Sequence, residues 1–71
     1  MMTKVRSDLI GLLKACGLDV ETTVSIVVLC KTDENRQTMI DWIIEYYDKH
    51  GNISEDTIQK MLLRLIGDRK K

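Results

Sequence analysis

Few side chains in this sequence combine the type and the spacing that chemistry needs. His50 is the one histidine, and Cys16 and Cys30 are the two cysteines. A hydrolytic triad would have to be assembled around His50 from a nucleophile and an orienting acid. Ser54 is the nearest serine, but it stands just ahead of Glu55-Asp56, where its hydroxyl is expected to cap a helix. His50 precedes Gly51 at an expected helix end, where a ring of its kind complements the last carbonyls. Two cysteines and one histidine lack zinc-ligand spacing. No glycine-rich loop opens a helix in a phosphate-binding pattern. The expectation is therefore a protein that is not an enzyme, with no catalytic residue, no cofactor and no metal.

Two further patterns invite chemistry and fail on counting. Asp48-Lys49-His50-Gly51-Asn52-Ile53-Ser54-Glu55 has the look of a calcium loop. Such a loop needs twelve residues, a Gly at position 6 and a Glu at position 12. Counted from Asp48, Gly51 falls at position 4 and Gln59 at position 12. A turn between two helices explains the same residues. The cysteines sit among apolar residues at helical positions, so both read as reduced, buried, small hydrophobes.

The elements that must position these residues are helices. Thr3 is a candidate N-cap for a helix over about 4–16, in which Val5, Leu9, Leu12, Leu13 and Cys16 share one face. Gly17 would end it in a Schellman turn, packing Leu18 on Leu13. Gly11, inside that helix, is a candidate point of close helix–helix approach. Residues 20–31 read two ways. Thr22, Thr23, Val24, Ile26, Val27 and Val28 favour a strand by intrinsic preference. Nothing else in the chain offers a partner strand, and a lone strand leaves its backbone groups unpaired. With Asp19 as cap and Glu21 in the first turn, a helix is expected. Strand pairing with another copy is the alternative. A third helix spans about 33–50, capped by Thr32 or Asp33 and stopped by Gly51. The fourth, about 55–67, has Ile53 and Ile58 placed as a hydrophobic staple around Ser54. The fold expected is an all-α, small four-helix domain over residues 1–67, followed by a basic tail over 68–71.

Size and composition set the stakes. The chain has 71 residues, 44% of them apolar and 31% charged, and eleven basic side chains balance eleven acidic ones. That excludes a disordered charged tail or a fibre. The longest unbroken apolar run is Ile26–Cys30, far short of the roughly twenty residues a membrane span needs. The opening segment Met1–Asp8 does not read as a signal peptide, so a cytoplasmic location is expected. Chains below about 70–80 residues seldom obtain more than roughly 3–5 kcal/mol from one core without a disulfide, a metal or oligomerisation.

Apolar side chains also cover more of each helix than one core can use. On the third helix, Met39, Ile40, Trp42, Ile43, Ile44, Tyr46 and Tyr47 spread over roughly 200°, whereas packing on one side takes little more than 100°. The second helix is apolar almost all round, which predicts burial all round. Leu63 and Ile10 fall outside the stripes of their helices. This surplus marks Val28, Leu29, Ile40, Trp42, Ile44, Tyr46 and Leu63 as interface candidates, with a homo-oligomer, most simply a dimer, or another protein as partner.

Residues Ile43 to Ile58, running through Tyr46-Tyr47, Gly51 and Ile53-Ser54, resemble the opening of bacterial winged helix-turn-helix domains. In general character the chain is similar to small helical proteins of Gram-positive bacteria and their mobile elements. The first resemblance covers under a third of the chain. It implies a positioning helix, while the sequence given holds no following recognition helix. It supports an alternative function: DNA contact through the fourth helix and the tail, by Lys60, Arg64, Arg69, Lys70 and Lys71. Residues 57–71 carry a net charge of plus four, residues 33–56 one of minus five. A handful of charges gives weak, salt-sensitive binding. No membrane contact is expected. The function expected first is a non-catalytic, self-associating protein–protein interaction or accessory module.

Overall fold

Each helix begins where a short polar side chain can take up a free backbone N–H. The computed structural model describes residues 3–67, and four helices occupy most of them. Helix α1 runs Lys4–Ala15, α2 Val20–Leu29, α3 Asp33–His50 and α4 Glu55–Gly67. The Oγ1 of Thr3 accepts from the N–H of Arg6 at 3.2 Å, and that of Thr32 from Asn35 at 3.1 Å. The Asp19 carboxylate accepts from Thr22 at 2.9 Å, and hydrogen bonding from Thr22 holds its carboxyl below the usual range. Ser54 Oγ accepts from Thr57 at 3.3 Å, and both staple residues, Ile53 and Ile58, are buried.

The ends are as specific as the starts. At α1, the N–H of Leu18 donates to Leu13 O and that of Gly17 to Lys14 O, the paired bonds of a Schellman turn. Gly17 adopts φ 98°, where a Cβ would be strained, and both Leu13 and Leu18 join the core. Gly51 closes α3 with φ 82°.

Helix α2 ends differently, and two residues before its expected limit. Lys31 takes φ 74°, the one positive φ at a non-glycine residue among those described. Its N–H reaches Val28 O, and the N–H of Thr32 closes back on Cys30 O at 2.9 Å, a three-residue turn. A left-handed conformation costs a residue with a Cβ about 1–2 kcal/mol. The turn also leaves Val27 O without a backbone donor. Arg36 of α3 supplies one: its Nε donates to Val27 O at 2.8 Å, while its Nη1 pairs with Asp33 Oδ1 at 2.8 Å. Asn35 Nδ2 donates to Cys30 O at 2.8 Å. Thr3 Oγ1 donates to the same Asp33 oxygen at 3.3 Å, tying in the start of α1.

Helix α1 packs on α2 and α3, and α4 packs on the same two helices. The core lies between them: Leu9 and Leu13 from α1, Ile26, Val27 and Cys30 from α2, Met39, Ile40 and Ile43 from α3, Ile58 and Leu62 from α4, with Leu18 and Ile53 from the turns. The helical conformation of α2 settles the strand question. Its β-branched residues cost up to about 0.7 kcal/mol each against alanine, so burial of Thr23, Ile26 and Val27 must offset them. Thr23 adds a further cost, because its buried Oγ1 makes no hydrogen bond among the described residues.

Three expectations need correction. Helix α2 is buried on one face only, not all round, because α1 and α4 reach it from one side. Gly11 is exposed, and a Cβ there would meet nothing within 4 Å, so no helix approaches it. Ile10, outside the α1 stripe, is nonetheless half-buried against the core. The tail over 68–71 lies outside the described residues.

Two outcomes follow for stability. Replacing Arg36 by Met, which keeps the bulk but removes both donors, should cost about 1–3 kcal/mol in urea unfolding, since a buried carbonyl loses its partner. Gly11→Ala should raise stability by up to about 1 kcal/mol in the same assay, and a loss would mean that some hidden contact uses the glycine.

Candidate interaction surface

Apart from Leu63 on α4, the large apolar residues that the core leaves outside fall into three places. The first is a stripe on α2. Val20, Val24 and Val28 stand one turn apart and keep 62%, 47% and 58% of their surface exposed. Successive turns bring residues four apart onto one line, so the three valines form a ridge, with Leu29 exposed beside the helix exit. Nothing along the ridge is charged between Glu21 and Lys31.

The second is a groove of about 300 Å³ between α1 and α3, lined by Leu12, Ala15, Cys16, Ile43, Ile44, Tyr47 and Asp48. Ile44 and Tyr47 form its exposed wall. The third, about 430 Å³, lies between α3 and α4, with Trp42, Tyr46, His50 and Met61 among Glu45, Lys49 and Arg64. The His50 ring stacks at a tilt on Tyr46, centroids 4.2 Å apart, so it continues the aromatic wall of this groove. Lys49 Nζ lies 3.9 Å from Glu45, leaving a mixed rather than single-sign field.

Four of the seven interface candidates are exposed: Val28, Leu29, Ile44 and Leu63. Trp42 and Tyr46 are half-buried in the wall of the larger groove. Ile40 is a correction. It is buried as a member of the core cluster. Val28 and Leu29 stand on α2, Ile44 on α3 and Leu63 on α4, so the exposed candidates come from three helices. Sequence reasoning passed over Val20, Val24 and Tyr47, although the four-residue spacing of the valines was available as a signal.

Two of the five basic candidates lie among the described residues. Lys60 and Arg64 are exposed on α4, and Lys60 Nζ lies 3.4 Å from the Asp56 carboxylate. A phosphate would have to displace that carboxylate. Arg69, Lys70 and Lys71 lie outside the described residues.

Burial raises the thiol pKa of Cys16, and raises that of Cys30 against a weaker opposing pull from Arg36. Cys30 is fully buried and Cys16 half-buried. Both are held as neutral thiols, the weakly nucleophilic form. Among the described residues no three potential ligands gather as a metal site, and no helix is long and apolar enough to cross a membrane. Comparison with family models, curated proteins and solved structures finds no match to this chain.

The thiols provide a check on this geometry. At pH 8.5, iodoacetamide should modify Cys16 more slowly than a free thiol, and Cys30 only at the rate of unfolding. Rapid alkylation of Cys30 in the folded protein would contradict its burial.

Proposed function

We propose that this chain is a non-catalytic helical module whose role is protein–protein contact, beginning with self-association. One observation carries the proposal: the valine ridge of α2, three β-branched side chains exposed on consecutive turns of a ten-residue helix. Single exposed apolar residues are ordinary, but an aligned set on one helix is a surface that water covers poorly. The fold itself is closed. Its radius of gyration of 11.4 Å is close to the roughly 11 Å expected of a compact chain of this length, so the ridge is no product of loose packing.

The chemistry-bearing residues support the same reading. Ser54 is engaged as a cap, His50 lies against Tyr46, and both thiols are kept neutral. Each is accounted for by structure alone. A two-fold dimer is the simplest way for one chain to cover a surface with its own complement.

Light scattering over a concentration series should show the mass rising from one chain toward two. Val24→Glu should shift that rise to at least tenfold higher concentration while circular dichroism retains the helical signal, because a charge would have to be desolvated at the contact. A parent chain that stays monomeric up to millimolar concentration would overturn the proposal.

A further inference from the structure

We infer that the occupant of the valine ridge is the α2 helix of a second copy, running antiparallel, with Glu21 of each copy beside Lys31 of the other. This rests on the self-association proposed above and specifies its geometry.

Glu21 and Lys31 are the two charged residues of the segment 20–31, and they bracket Val24 and Val28 of the ridge. Neither takes part in an ion pair among the described residues. Position 26 lies midway between Glu21 and Lys31, and it also lies midway between Val24 and Val28. A two-fold axis at that level therefore does two things at once. It sets Val24 of one copy level with Val28 of the other, and it sets each Glu21 level with the opposite Lys31. The electrostatic register thus coincides with the pairing of Val24 and Val28, while Val20 falls level with position 32, beyond the end of α2. A parallel pair would instead bring Glu21 against Glu21 and Lys31 against Lys31, with the helix dipoles aligned unfavourably.

The side chains suit such a contact. Glu21, Ser25 and Leu29 flank the ridge on the outward sector, and the small Ser25 leaves room beside the valines. Valine in a helix keeps essentially one χ1 rotamer, so little side-chain freedom is lost on docking.

The test is a charge-reversal cycle read by light scattering and native mass spectrometry at low salt. Glu21→Lys alone and Lys31→Glu alone should each weaken dimerisation by about tenfold, because symmetry turns two attractions into two repulsions. The double variant E21K/K31E should regain most of the parent's affinity. An equimolar mixture of the two single variants, distinguished by isotope labelling, should form the mixed dimer in preference to either like pair. The single-variant losses should shrink as salt is raised. Thermal melts of each variant separate a weakened dimer from a weakened fold, and the recovery in the double variant is the decisive arm. A dimer indifferent to all four combinations, or a double variant no tighter than the singles, would overturn the antiparallel pairing and leave self-association standing. A parent chain that never dimerises would overturn both.

Discussion

The guanidinium of Arg36 is the point on which the arrangement of α2 depends. It is 4% exposed, and it joins the exit of α2 to the first turn of α3 through Val27 O and Asp33. A buried charge is costly unless its donors are used, and here the carboxylate partner stays partly in water, which keeps the desolvation of the pair modest. The positive charge also meets the negative end of α2, while Asp33 sits at the positive end of α3. One side chain thus complements two helix ends. Because the turn over Lys31 has left Val27 O without a backbone donor, the irregular exit and the guanidinium require each other. With Thr3 bonded to Asp33, the same cluster reaches the start of α1.

This cluster separates what the sequence discloses from what it conceals. The caps at Thr3, Asp19, Thr32 and Ser54, the Schellman turn at Gly17 and the staple of Ile53 with Ile58 were all legible. Each is an interaction between residues a few positions apart, and its geometry follows from the helix alone. Arg36 was not legible. In the sequence it is one basic residue in an acidic stretch, and only the packing of α3 against the exit of α2 gives it a carbonyl to bond. The strained turn at Lys31 belongs with it: lysine carries no local signal for positive φ, so α2 was expected to run two residues too far.

The candidate surface was half legible for a related reason. Helical periodicity gives the bearing of a side chain but not which of its neighbours will cover it. On α3, Ile40 and Ile44 are one turn apart and read alike, yet the core takes in the first and leaves the second in water. On α2 the apolar content signals more surface than one core can cover, but not which of its residues the core takes and which it leaves exposed. Four short helices meet it from one side only. In a domain this small too little interior exists to hide every apolar residue, a consequence of surface-to-volume scaling.

The composition of α2 links its stability to its exposed ridge. Threonine, valine and isoleucine make it a poor helix in isolation, and the buried hydroxyl of Thr23 weakens it further. It is held by one buried face, one aspartate cap and the guanidinium at its exit. Covering the ridge would add a second buried face to a helix of low intrinsic propensity. Anything that binds the helical form and not the unfolded one stabilises the helix by mass action. Propensity and exposure, which look like separate defects of α2, are therefore complementary. The branching that disfavours the helix in a lone chain also supplies rigid, flat-sided side chains, the kind that lose least on docking.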